Sequence, residues 1–195
     1  MDVKISEISE LFSLAEKKIK LIEHLGEGLT FPAVNQLRYV AFHLLRADNA
    51  TEVDIKKEEY RKAKNHCQRA IYDAVESGLI YYLEEFKIFQ NDYKTIIISD
   101  VVTDYIEIRT FANEVSDFIS VITKESIGDH CNNRGDQYRK STAYFKLLKA
   151  YDTLLNNARP ELNKKIQKSR EKFLMSIAAL IIAGLGVIVT LIALL

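Results

Sequence analysis

Apolar positions recur every three to four residues along most of this chain, the period of an amphipathic helix, and no segment sustains the two-residue alternation of a strand. The first predicted helix runs from about Val3 to His24, with Ile5, Ile8, Phe12, Ala15, Ile19 and Ile22 on one face. Gly26 and Gly28 stop it. Thr30-Phe31-Pro32 restarts the chain with proline in a first turn. A second helix, about Pro32–Ala47, buries Ala33, Leu37, Val40, Ala41 and Leu44. The third, about Val53–Asn91, carries the stripe Tyr60, Ala63, Cys67, Ala70, Ile71, Ala74, Gly78 and Tyr81, mostly small residues that let a neighbouring helix come close. Near Glu85 this stripe rotates toward Phe86 and Phe89, which predicts a bend or a change of partner. A fourth helix is expected over about Lys94–Lys124, with Ile98, Val102, Tyr105, Ile108, Phe111, Val115, Phe118 and Ile122 inward; Ile97–Val102 is too short and isolated to pair as a strand. Gly128–Gly135 reads as a loop, and a fifth helix follows from about Asp136, interrupted or restarted at Pro160.

The last segment differs in kind. Phe173–Leu195 contains no charged side chain, and as a helix it would rise about 34 Å against about 30 Å of hydrocarbon. Lys164, Lys165, Lys168, Arg170 and Lys172 stand just before it, a cationic flank that predicts a cytoplasmic N-terminal domain and a membrane-surface contact. The expected organisation is an all-α cytoplasmic bundle over residues 1–158, a basic stem over 159–172 and a single C-terminal transmembrane helix over 173–195 in the inner membrane. The lipid bilayer is then the first expected partner. Met1–Leu14 carries Asp2, Glu7 and Glu10 and no apolar core, so it does not read as a targeting segment.

Charge sharpens this picture. The chain holds 27 basic and 27 acidic residues, yet 159–172 has six Lys/Arg against two Glu, a net +4 that leaves −4 elsewhere. A bundle of net −4 argues against a broad nucleic-acid face and against DNA as a partner. Cys67 and Cys131 read as free thiols.

Candidate chemistry lies in Arg38 and His43, an R-x4-H spacing on the second helix, repeated as Arg61 and His66 on the third. A histidine can move a proton at a ribose hydroxyl and an arginine can stabilise a phosphorane. This spacing on an all-helical chain resembles the HEPN superfamily, whose ribonuclease members cleave RNA without a metal where Arg and His of two protomers meet. Arg38 and His43 would be catalytic on that resemblance. Two departures stand out: Tyr39 or Lys62 follows the arginine where Asn, Asp or His is usual, and neither copy sits on the last helix. Together with the apolar C-terminus, the chain also resembles the small membrane proteins that accompany RNA-targeting type VI CRISPR effectors. That resemblance implies oligomers that disturb inner-membrane permeability in antiviral defence, with an RNA-targeting effector or RNA as a further partner.

Other features carry less. His66-Cys67 and His130-Cys131 invite a metal, but adjacent helical residues point about 100° apart, and no metal or cofactor is expected. His66 and Asp73, with Arg69 near, read as a solvated polar face, and Arg134-Gly135-Asp136 as a turn. There is no phosphate-binding glycine loop and no serine nucleophile elbow. Ser176, Ala179, Ala183, Gly186, Thr190 and Ala193 recur at 3-4-3-4-3 spacing, a small-residue face suited to self-association. The expected function is a non-enzymatic, oligomeric membrane effector. The alternatives are a tethered HEPN ribonuclease and a scaffold that recruits a soluble partner.

Overall fold

The structure, a computed structural model, describes residues 3–27, 30–125 and 134–193, with side chains at all of these except 27, 122–125, 134–138 and 187–193. Helices α1 (Ile5–Ile22), α2 (Phe31–Asn49), α3 (Val53–Asp92), α4 (Tyr105–Glu125) and α5 (Arg134–Ala193) account for most of it, and no strand occurs among the described residues. The all-helical expectation holds.

α1 gives way to a wide turn over Glu23–Glu27, where Gly26 takes φ 92°, a left-handed conformation that other residues adopt only with strain. Pro32 then opens α2, its missing N–H falling where no intrahelical partner exists. α3 is the central element, about 60 Å long at 1.5 Å per residue. Its first half faces α1 and α2 through Ala63, Cys67, Ala70 and Ala74, each fully buried. At Gly78 the approach is closest: a methyl group there would meet the Phe145 ring and lie 2.5 Å from Ile22 Cδ1. Ile5 and Ala41 were expected in the core and are exposed instead.

Beyond Gly78 α5 joins the partners of α3, about two turns earlier than the rotation expected near Glu85. Phe86 and Phe89 join Tyr93, Ile98, Val102, Ile108, Leu155 and Leu162 in a second cluster shared with α4 and α5. The expected helix from Lys94 is corrected: residues 93–104 form tight turns, including a single 3₁₀ turn at Ile98–Asp100, and α4 starts only at Tyr105. Seven of the nine residues 95–103 are Thr, Ile or Val, whose branched side chains lose rotamer freedom in a helix.

Two expectations about α5 also fail. Arg134-Gly135-Asp136 lies in its first turn, not in a loop, while the rest of the 128–135 segment and His130-Cys131 lie outside the described residues. Pro160 does not interrupt the helix. Proline forfeits one hydrogen bond there, but Leu155 and Leu162 are buried on either side of it and hold the helix to the bundle. After Ile166 every described side chain is exposed.

Among the described residues no helix is long and apolar enough to cross a membrane. The apolar run begins at Phe173 on α5. Arg170, Glu171 and Lys172 bound it upstream. The expected transmembrane helix and the single-pass inner-membrane location that rested on it are corrected accordingly.

Candidate functional site

α2 and α3 run against each other over most of the length of α2, and their contact is apolar on one side only. Ala33, Val40 and Ala47 of α2 are fully buried. One turn round, the same helix presents Gln36, Tyr39, His43 and Arg46 toward Glu59, Lys62 and His66 of α3. These seven side chains form one polar cluster along the α2–α3 seam.

Glu59 is its centre. The residue is 2% exposed although it stands in a charged run, and its carboxylate is covered by the side chains that bind it. His43 Nδ1–H donates to Glu59 Oε2 at 2.6 Å, Lys62 Nζ donates to Oε1 at 3.1 Å, and Arg46 Nε lies 3.8 Å away. The hydrogen bond from His43, aided by Lys62 and Arg46, holds the Glu59 carboxyl below the usual carboxylate range against the opposing effect of burial. A buried carboxylate bonded to one ring nitrogen fixes the orientation of the imidazole.

His66 completes the arrangement. Its ring stacks on that of His43, centroids 5.1 Å apart and planes 14° from parallel, and on Tyr39 at 5.2 Å. Its Nδ1–H donates to Gln36 Oε1 at 2.7 Å. Burial, then the neighbouring His43, lowers the His66 pKa from 6.5, which favours the neutral ring. In each histidine the assigned bond engages Nδ1 and leaves Nε2 without a partner among the described residues.

The two R-x4-H copies thus converge through their histidines and diverge through their arginines. Arg38 lies over the Tyr39 ring at 5.0 Å, and Arg61 is paired with Glu58 at 2.7 Å on the exposed side of α3. Neither arginine reaches a histidine; Arg46 and Lys62 take the cationic places. Cys67 turns away from His66 into the core, its thiol directed to the Ile8 carbonyl at 3.8 Å and its pKa raised to about 11 by burial. Asp73 is not part of a solvated face: it is buried and paired with Arg69 at 2.9 Å.

Glu59 and Gln36 were not singled out from sequence. Glu59 had a signal, since it lies one turn before Ala63 on the apolar stripe. An acid at a core register in a charged run is a buried partner in waiting.

The C-terminal candidates lie elsewhere. Ser176, Ala179, Ala183 and Gly186 sit on the exposed part of α5, and the side chains of Thr190 and Ala193 lie outside the described residues. Of the basic stem, Lys165 is tied to Asp100 and to the Ile97 carbonyl, whereas Lys164, Lys168, Arg170 and Lys172 face solvent. The cavity between α3, α4 and α5, beside Tyr82, Phe86 and Asp152, measures about 10 Å³ and admits at most one water. Compared with protein-family models, curated proteins and solved structures, the chain shows no significant match.

Proposed function

We propose that this chain is a helical RNA-cleaving effector that uses the His43–His66 pair as a metal-independent acid and base. The observation that carries the reading is the stacking, at 5.1 Å, of two histidines from two separate helices behind which a single buried carboxylate is bonded to one of them. Two titratable groups in unequal environments are what acid–base division of labour requires. In this mechanism His66 Nε2 accepts the ribose 2′-hydroxyl proton as the oxygen attacks phosphorus. The bond from phosphorus to the 5′-oxygen breaks, and His43 delivers a proton to that oxygen. Arg46 and Lys62 offset the charge that develops on the phosphoryl oxygens. Arg38, carried over from the HEPN resemblance, would act from beyond Tyr39 on bound RNA and not on the histidines.

The test is turnover of a single-stranded RNA in the presence of a chelator. His43→Ala and His66→Ala should each lose about 10²-fold or more in rate, the usual size of one acid–base group. His66→Ala should keep its melting temperature within a few degrees. His43→Ala should also melt lower, because it leaves the buried Glu59 carboxylate without its shortest hydrogen bond, so its rate is read well below that temperature. Wild-type protein that leaves RNA intact removes this reading.

A second reading has its own observation. Phe173, Leu174, Met175, Leu180 and Ile182 are each 64–75% exposed on α5 beyond the bundle, more apolar surface than a lone helix carries in water. Self-association through that helix accounts for it, and the small residues Ser176, Ala179, Ala183 and Gly186 would set the spacing. Ile182→Lys should then lower the mass measured by light scattering, and an unchanged mass sinks it.

A further inference from the structure

Exposed aromatic rings are scarce on this protein and gathered in one place. Among the described residues four are exposed. Three of them, Phe31, Tyr39 and Phe42, stand on α2 at 74%, 38% and 50% exposure, and the fourth is Phe173 on α5. On a helix of 3.6 residues per turn, Phe31, Arg38, Phe42 and Leu45 fall within about 60° of one another, on the outer side of α2. Ala33 and Val40 occupy the opposite side, packed with α1 and α3. Gln36, Tyr39, His43 and Arg46 fill the arc between, so the histidine pair borders the outer face directly.

Phe42 ties that face to the pair. Its ring meets the His43 imidazole edge-on, centroids 5.4 Å apart, and the Arg46 guanidinium lies 5.6 Å from its centroid. Tyr39 and Arg38 repeat the pairing at 5.0 Å. From Phe31 to Ala47 the helix carries Arg38, His43 and Arg46 and no carboxylate, in a chain that is net −4 outside residues 159–172. Rings interleaved with arginines, and no acid among them, are the chemistry that recognises unpaired bases: an aromatic face takes a base and a guanidinium takes a phosphate or stacks in turn. An apolar partner helix laid on the same face would have to bury Arg38 without a counter-charge, which is costly.

We propose that the outer face of α2 is a stacking surface for single-stranded RNA, with Phe42 holding the base beside the phosphate that the histidine pair attacks, an inference that rests on the RNA reading of that pair. Arg46 and Arg38 neutralise the flanking phosphates. Phe31 lies about 16 Å farther along the helix axis and offers a second ring to a strand that runs toward the start of α2. Glu59 fixes the His43 ring, and Phe42 is its neighbour on the same helix, so a base seated on Phe42 brings its phosphate to the imidazole at a set distance. A duplex keeps its base faces inside the helical stack and cannot use the rings. The surface therefore selects unpaired bases without reading their sequence.

The probe is a short single-stranded RNA in two forms. The ordinary strand reports turnover, and its 2′-O-methyl counterpart, which lacks the attacking hydroxyl, reports binding by fluorescence anisotropy at fixed salt. Phe42→Leu should weaken binding of the 2′-O-methyl strand about tenfold, the scale of one base–ring stack, and raise KM with kcat little changed. Phe42→Tyr should restore both. Ile88→Ala, which trims an exposed apolar side chain from the far half of α3, should match wild type. A 2′-O-methyl duplex of the same sequence should bind about tenfold more weakly than the strand. Phe42 is half exposed, so its variants should melt as wild type does. A wild type that does not bind the strand overturns the proposal, as does a duplex that binds equally well. So does a wild-type dimer that Phe42→Leu dissociates with its RNA affinity intact, since a second copy then owns the face. Phe42-dependent binding without cleavage removes the histidine chemistry and supports the stacking surface, whereas cleavage with a KM indifferent to Phe42 removes the stacking surface alone.

Discussion

The two halves of α3 use opposite means to hold their neighbours. Before Gly78 the helix relies on small side chains, Ala63, Cys67, Ala70 and Ala74, and sets a buried carboxylate at Glu59 among cations and imidazoles. After Gly78 it relies on Phe86 and Phe89, packed with Tyr93 and Leu162 and braced by Arg159, which lies 5.3 Å over the Phe89 ring and pairs with Asp92 at 2.9 Å. Close backbone approach gives the first half little apolar area to remove from water, so its specificity comes from polar partners. The second half gains from large rings and has little polar chemistry to offer. Stability and candidate chemistry are therefore separated along one helix, and that separation can be tested at either end.

The strongest challenge is Phe89→Ala. The ring is 1% exposed and at the centre of the second cluster, so its loss should cost about 3–5 kcal/mol. Thermal melting will read that cost, while RNA turnover measured well below the new melting temperature should stay at the wild-type rate. A turnover loss that matches the stability loss would show that the halves are not separate.

Acid should have the reverse effect. The His66 pKa is lowered from 6.5, so the stability it contributes is complete above that pH and is lost as pH falls below it. Glu59 is lowered from 4.5, and its contribution, complete above 4.5, is lost as pH falls further. In the other half burial raises the Asp152 pKa from 3.8, which withholds stability at neutral pH and returns it as pH falls through the folded value. Hydrogen exchange should thus show α2 losing protection below pH 6.5 before residues 82–92 do. Simultaneous loss in both would break the comparison.

How much of this was legible depends on which signal each residue sends. The turn of the α3 stripe near Glu85 could be read because aromatic spacing changes there, and Phe86 and Phe89 enter the second cluster just beyond it, about two turns after α5 first reaches the helix at Gly78. Residues 94–104 were misread because Ile98, Val102 and Tyr105 happen to keep helical spacing; the density of β-branched side chains was the better guide. His43 was found by its spacing to Arg38, but the pairing with His66 could not be, since it depends on the relative rotation of two helices.

The smallest expected effect separates the motif from the site. If R-x4-H spacing itself marked the chemistry, Arg61 would matter as much as any cation near His66. Yet Arg61 sits on the exposed side of α3 with both bonds to Glu58, at 2.7 and 2.8 Å, and exposed pairs of this kind contribute little. Arg46, outside both motif copies, lies 3.8 Å from the Glu59 carboxylate and over the Phe42 ring at 5.6 Å, beside His43. Arg61→Ala should therefore leave turnover and melting temperature indistinguishable from wild type. Arg46→Ala should slow turnover about tenfold with little change in melting, because more than half of its side chain is already in solvent. The reverse order, with Arg61 the more important, would mean that sequence spacing outranks geometry and that the α2–α3 cluster is only a polar seam between two helices.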